Sequence, residues 1–248
     1  MMAAAYRRPL ALGDRGPIVS FTFDDFPRSA AQVAAPILES FGARGTYYVA
    51  PGLMNSSGEQ GDLFVEGDLH FLMERGHEVA SHTYDHSSCR SLSSLDFQKD
   101  VRRGIDAVHA LTGGNPANFA YPFGHVTLGT KKALGTLVRS ARGISPGLNG
   151  PEIDLNLLRA NCLYGDSDQL QHAKLLIGEN ARRKAWIIFY THDVRPKPSA
   201  YGCTPELFEA VVSFAANNCR ILTVAEALCN AADAVNMQPL FAEQLSAQ

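Results

Sequence analysis

Apolar positions along the chain form short runs that alternate with helical stripes. Ile18 to Phe23 is an apolar run rich in β-branched and aromatic residues, bounded by Gly16-Pro17 and by two aspartates, and it predicts a buried strand. Ser29 is placed to cap a following helix with Val33, Ile37, Leu38 and Phe41 on its apolar face and Gly42 as its stop. Thr46 to Ala50 predicts a second strand, cut off by Pro51-Gly52, and the Gly-, Ser- and Glu-rich stretch Asn55 to Asp62 predicts a surface loop. A short helix over Leu69 to Arg75 leads to a strand at His77 to Ala80. Ser94 to Leu111 reads as a helix with Leu95, Val101, Ile105 and Val108 as its stripe, closed by Gly113-Gly114. A strand at Phe119 to Tyr121, a helix near Thr127 to Leu134, a strand at Thr136 to Ala141 and a loop over Gly143 to Pro151 follow. Beyond them come a strand at Leu157 to Leu163, a helix at Gln169 to Arg183 and a strong strand at Ala185 to Tyr190. Thr204-Pro205-Glu206 starts a helix to about Asn217, Arg220 to Leu222 is a last short strand, and Thr223 caps a helix to about Ala231.

Strands and helices alternate throughout, which predicts parallel strands with helical crossovers. Asp24, Asp25, His82, His86 and His192 each sit at or just past the C-terminal end of a predicted strand, where α/β barrels carry their chemistry. The chain has 248 residues with 46% apolar content, enough for one sizeable core, and no linker long enough to split it. Its net charge of −3 gives no reason to expect nucleic acid or an anionic membrane as a partner. Five scattered cysteines without a C-x-x-C pair read as mostly buried, reduced thiols. Residues 1 to 12 lack a long apolar segment, so a cytoplasmic location is expected for the chain as written, with export open for a trimmed form.

Ser81-His82-Thr83-Tyr84-Asp85-His86 holds two imidazoles four positions apart. A helical turn starting near Thr83 would put both on one face, able to grip one cation. Thr22-Phe23-Asp24-Asp25 places two carboxylates side by side at a strand end. Adjacent carboxylates repel, and a site using one on a metal and one as a base accounts for both.

These stretches resemble motifs of the polysaccharide deacetylase family, also called the NodB-homology or carbohydrate esterase family 4 domain. The resemblance spans roughly Pro17 to Leu228. It implies an α/β fold, an irregular (β/α)7-type barrel in a single domain over residues 17–230, with an N-terminal extension (1–16) and a C-terminal tail (231–248). It implies Asp24 as base, Asp25, His82 and His86 as metal ligands, and His192 in Ile188-Phe189-Tyr190-Thr191-His192 as general acid. Phe119-Ala120-Tyr121-Pro122-Phe123-Gly124 resembles the third motif and brings Tyr121, Pro122 and the backbone N–H of Phe123 to the substrate and its oxyanion. Three departures stand out. Phe26 occupies a position that is Gly in many members. Ala120 stands where many carry an Arg that orients the base. No fourth Asp-x-x-Asp-Trp-like motif is present. Arg142, at a strand end, is expected to supply the missing cation to Asp24, with Arg159 as second choice.

The activity implied is removal of N-acetyl groups from N-acetylated sugars by a divalent metal, zinc first, with cobalt, nickel or manganese able to fill the same ligand set. His192 must be charged when it protonates the leaving amine, which calls for a nearby carboxylate. Tyr121, Phe123 and Trp186 are aromatic candidates for sugar stacking, with core packing the stronger expectation for Trp186. The rival readings are an amidase or deformylase on a small substrate, an O-acetyl esterase, and a silent glycan-binding module that keeps the fold.

Overall fold

An apolar run cannot leave either face to water, so Ile18–Phe23 (β1) lies inside a parallel sheet and is buried at all six positions. The computed structural model describes residues 5–229. Seven further strands join β1: Thr46–Val49 (β2), Glu78–Ser81 (β3), Asn118–Ala120 (β4), Ser140–Arg142 (β5), Asn161–Cys162 (β6), Trp186–Thr191 (β7) and Arg220–Ile221 (β8). They run in the order β6–β7–β1–β2–β3–β4–β5, with β8 also on β1. β7 pairs with β1 along its whole length. β8 takes the start of β1, at Ile18 and Val19, and β2 takes its end, at Thr22 and Phe23. Beyond β5 the wall continues irregularly, because Leu158 bridges Arg142 on the way to β6. The result is an irregular (β/α)7-type barrel in one domain.

The helices are Ala35–Ser40 (α1), Glu66–Glu74 (α2), Ser94–Thr112 (α3), Leu128–Leu134 (α4), Leu170–Arg183 (α5), Pro205–Asn218 (α6) and Val224–Leu228 (α7). None of the described helices is long and apolar enough to cross a membrane. The main core lies between sheet and helices, with Phe21, Phe189 and Phe208 in ring contact at its centre.

Several elements differ from the sequence expectations. Ser29 does not cap: its hydroxyl accepts from the Val194 N–H at 3.1 Å, and α1 is entered through a π-helical turn, Ala30–Ala34. Four buried alanines, Ala30, Ala31, Ala34 and Ala35, face the barrel there, and Phe41 is left half-exposed. On α3, Leu95 is 62% exposed and Phe97 takes its place in the buried stripe. The strand expected from Thr136 shortens to Ser140–Arg142, because Leu137 and Val138 still bond back to Leu134. Of the five cysteines, all free, Cys89 and Cys203 are buried while Cys162 and Cys229 are exposed. Expectations for residues 230–248 lie outside the described residues.

The segment before β1 contributes structure of its own. Pro9–Ala11 forms a strand antiparallel to Glu152–Asp154. Arg8 donates to Asn156 Oδ1 and to the carbonyls of Val138 and Arg139. Beneath this seam the fully buried Lys131 ammonium pairs with Asp154 at 2.6 Å. Removing one partner of such a pair strands the other charge away from water. Lys131→Ala is therefore expected to lower unfolding free energy by about 3 kcal/mol, read from urea denaturation. A change under about 0.5 kcal/mol, the range of an ordinary surface substitution, would remove the pair from the list of structural anchors.

Candidate active site

The strand ends deliver their side chains to one rim. Asp24 follows β1 directly, with its N–H on the Thr191 carbonyl at 3.0 Å. Asp25 and Phe26 both turn with φ of +57°, a left-handed conformation that favours glycine. The chain does without the glycine because the Phe26 ring is wholly buried, 5.2 Å from both Tyr47 and Phe64. Burial of a phenyl ring offsets a left-handed residue that costs about 1–3 kcal/mol.

Arg142 reaches Asp24. The guanidinium is fully buried, is in direct contact with Asp24 Oδ1, and donates to the Gly143 carbonyl at 3.0 Å. The rings of Tyr48 and Tyr190 lie 4.9 and 5.2 Å from it. Burial pushes the Arg142 pKa down, but the Asp24 carboxylate together with Tyr48 and Tyr190 outweighs burial and holds it raised. Sheet register explains how the cation gets there: Arg142 on β5 lies opposite Ala120 on β4. In-register residues of parallel strands point the same way, so an arginine moved one strand over enters the same interior, and alanine at 120 leaves it room. Arg159 is turned elsewhere, donating to the Pro146 carbonyl.

His82 and His86 meet without a helix. Thr83 and His86 have φ of +66° and +53°, and the segment between β3 and α3 is an irregular turn. One face of α3 shapes it. Asp100 accepts from the N–H groups of Tyr84 and Asp85 at 3.3 and 3.1 Å. Arg103 lies 3.5 Å over the Tyr84 ring and pairs with Asp85. Gly104 lies so close that a Cβ there would meet the Thr83 carbonyl at 2.5 Å. Positions i, i+3 and i+4 of one helix thus hold the turn that spaces the two imidazoles.

Donor atoms of Asp25, His82 and His86 lie within 4.8 Å of one another. The Nε2 atoms of His86 and His82 are 2.9 and 3.4 Å from Asp25 Oδ1. His82 Nδ1 sits 2.8 Å from the Ala120 carbonyl, which leaves Nε2 with its lone pair toward Asp25. Burial pushes the Asp25 carboxyl up, whereas His82 and His86 in their protonated, metal-free form donate to it and hold it well below the ordinary carboxylate range. The set fits a divalent cation: Asp25 Oδ1 is buried with no hydrogen bond directed at it, and two neutral imidazoles with one carboxylate suit zinc and leave positions open.

The other oxygen, Asp25 Oδ2, accepts from Gln60 Nε2 at 3.2 Å and lies 3.8 Å from His192 Nε2. The carboxylate beside His192 is thus that of Asp25. His192 Nδ1 lies 3.1 Å from the Tyr201 carbonyl. Of the expected aromatic contacts, the Phe123 ring is 55% exposed and 4.5 Å from His86. Tyr121 is buried, edge-on to Phe119 with its hydroxyl on the Asn156 carbonyl, and Trp186 is buried with its indole on Ser20, so neither ring is free to stack. Pro122, next in the chain after Tyr121, is buried as well. Periodicity gave no signal for Gln60, Tyr164 or Tyr201. Tyr164 and Tyr201 rings lie 6.2 and 5.7 Å from His192, and Gln60 sits on a small hairpin, Ser57–Gly58 with Gly61–Asp62, inside the expected loop.

The family model for polysaccharide deacetylases matches residues 13–137. The chain belongs to the polysaccharide deacetylase family. The matched segment carries Asp24, Asp25, His82, His86 and Phe123 of this deacetylase-family chain, whereas Arg142 and His192 lie beyond it. The peptidoglycan-N-acetylglucosamine deacetylase PgdA of Listeria monocytogenes is 27% identical over 118 residues, 47% of this chain and 24% of that protein. The chain therefore aligns with about a quarter of the length of that relative. Two solved structures share the fold. A chitin deacetylase from Colletotrichum lindemuthianum superposes with a TM-score of 0.57 at 20% identity, over 88% of this chain and 89% of its own. The Xyl-CE4 domain of a multidomain xylanase from the hindgut metagenome of Trinervitermes trinervoides gives 0.57 at 18%, over 86% and 89%.

Packing under the histidine turn makes Gly104 a sensitive position. Gly104→Ala is expected to cost about 1–3 kcal/mol, as overpacking against backbone does. Gly178→Ala, on an exposed turn of α5 with open space around it, should instead stabilise by about 0.5–1 kcal/mol. Equal shifts in urea midpoint for the two would show that the turn yields freely to α3.

Proposed function

We propose that the chain is a metal-dependent hydrolase that removes N-acetyl groups from N-acetylated sugars. One observation carries the reading: a carboxylate and two imidazoles able to hold a cation share a rim with a carboxylate gripped by a buried arginine and with a third histidine. Binding a glycan does not call for both a proton acceptor and a proton donor. Family membership and the deacetylase named among the relatives support the same substrate class.

Asp25, His82 and His86 hold the metal in this reading, with zinc favoured by the donor set. When bound, such an ion supplies Lewis acidity, acidifying water and polarising the acetyl carbonyl. Asp24 takes the proton from the attacking water, and Arg142 fixes which oxygen of Asp24 does so. The backbone N–H of Phe123 donates to the developing oxyanion, on a turn set by its φ of +58°. His192 gives its proton to the departing amine while the Tyr201 carbonyl holds its far nitrogen. The exposed rings of Phe123 beside His86 and Tyr201 beside His192 offer apolar faces to a pyranose.

The deciding measurement is metal content of protein purified without chelators, together with acetate release from N-acetylglucosamine oligomers. Stoichiometric zinc with acetate release supports the reading. Zinc without release redirects it to another amide or ester, and persistent absence of metal after zinc is added back moves the glycan-binding alternative ahead. Asp25→Ala and His82→Ala are expected to lose metal and activity together. Asp24→Asn should keep zinc and lose roughly 10²- to 10⁴-fold in turnover; full activity in that variant would end its role as base. The arginine assignment has its own test. Arg142→Ala should lower turnover with zinc content unchanged, and the double change Arg142→Ala with Ala120→Arg should recover part of it. No recovery in a folded double variant would show that the two strand positions are not interchangeable.

A further inference from the structure

Asp193 follows His192 and takes no part in the chemistry above, yet it is a fully buried carboxylate at the rim of the site. Buried carboxylates persist where they are saturated with donors. Asp193 has three: Arg195 Nε at 2.7 Å and the Ser199 N–H at 2.8 Å on Oδ2, and the Ser199 hydroxyl at 2.5 Å on Oδ1. The chain folds directly over it, since a Cβ on Gly202 would lie 2.4 Å from Oδ1.

The donors lead in two directions. Along the first, the Ser199 hydroxyl also accepts from the Tyr201 N–H at 3.2 Å, and the Ser199 carbonyl accepts from the Gly202 N–H at 3.2 Å; together they hold Tyr201 on both sides of its Cα, and its carbonyl faces His192 Nδ1 and accepts from the His192 N–H, each at 3.1 Å. Along the second, Arg195 donates to the Glu59 carbonyl at 2.5 Å, at the tip of the Ser57–Asp62 hairpin. Gly61, with φ of +93°, lets the guanidinium lie against that tip, where a Cβ would stand 3.1 Å from it. The next residue, Gln60, donates to Asp25 Oδ2. With Oδ2 held, the carboxylate cannot rotate, and Oδ1 stays turned to His82 and His86.

We infer that Asp193 is the positioning residue of the site, setting the orientation of His192 through Ser199 and Tyr201 and that of Asp25 through Arg195 and Gln60. The inference rests on the hydrolase reading for the roles of those two targets, and on contacts alone for the two arms. A carboxylate that merely closed a loop would not need to reach, through Arg195, a hairpin whose Gln60 ends on the side chain of Asp25.

The arms separate experimentally, using the full chain stripped of metal and then titrated with zinc against a competing chelator. Arg195→Ala is expected to weaken zinc binding about tenfold, as loss of an outer partner of a metal ligand does, and to speed cleavage after Glu59 by a glutamate-specific protease. Ser199→Ala should leave zinc affinity and cleavage unchanged while lowering kcat, with KM unchanged. Asp193→Asn should show all three effects; should it fail to fold, the other two variants carry the test. Wild-type zinc affinity and wild-type cleavage in Arg195→Ala would overturn the inference, as would an unaltered kcat in Ser199→Ala. A wild-type chain that takes up no zinc would instead sink the hydrolase reading, while the proteolysis comparison, which needs neither metal nor substrate, still decides whether Asp193 and Arg195 latch the hairpin.

Discussion

A guanidinium buried in a barrel is the constraint around which the site is arranged. Taking Arg142 out of water costs several kcal/mol, and the Asp24 carboxylate must be close and hydrogen-bonded to offset it. Every neighbour serves that end: Gly143 offers a carbonyl, and Tyr48 and Tyr190 offer ring faces. Such a pair contributes little net stability compared with a well-packed apolar substitute. What it does fix is the side chain of Asp24, whose second oxygen is left for other work.

Backbone strain is concentrated around the same rim. Eight described non-glycine residues have left-handed φ, and five of them, Asp25, Phe26, Thr83, His86 and Phe123, belong to the site. At about 1–3 kcal/mol each, they persist only where the surroundings over-determine them. The compensation is local and visible. Phe26 is buried between two rings, Thr83 lies against Gly104, and the turn around His86 hangs on Asp100. Fold and site are therefore not separable here: α3 is a packing helix on one side and the mould of the histidine turn on its other.

This division explains what could be read from sequence. β1, β2 and β7 announce themselves because strands buried on both faces carry uninterrupted apolar runs, and the carboxylates and His192 follow from where those runs stop. Arg142 was legible too, since a charged residue ending a strand next to an absent arginine has few reasons to be there. The histidine turn was legible as a pair and not as a shape. Spacing of four suggests a helix, whereas the contacts of Asp100 and Gly104 that impose a turn are tertiary. Gln60 and Tyr201 left no trace at all. One acts from a polar hairpin tip, and the other through a main-chain carbonyl that any residue type could supply.

Asp25 shows why those silent residues matter. Its two oxygens face different partners, Oδ1 the pair of imidazoles and Oδ2 the Gln60 amide and His192. A carboxylate left free could turn either oxygen to a cation, or both, and each choice would change the number of positions left for water and substrate. Fixing one oxygen from an exposed hairpin therefore sets how Oδ1 faces His82 and His86 from outside the strand ends that define the barrel. The barrel rim supplies polar groups from β1, β3, β5 and β7, but their mutual angles depend on surface segments outside those strands. On this rim, His192 and Asp25 lie 3.8 Å apart and are also linked through those segments by a chain of hydrogen bonds, so a change in either loop reaches both.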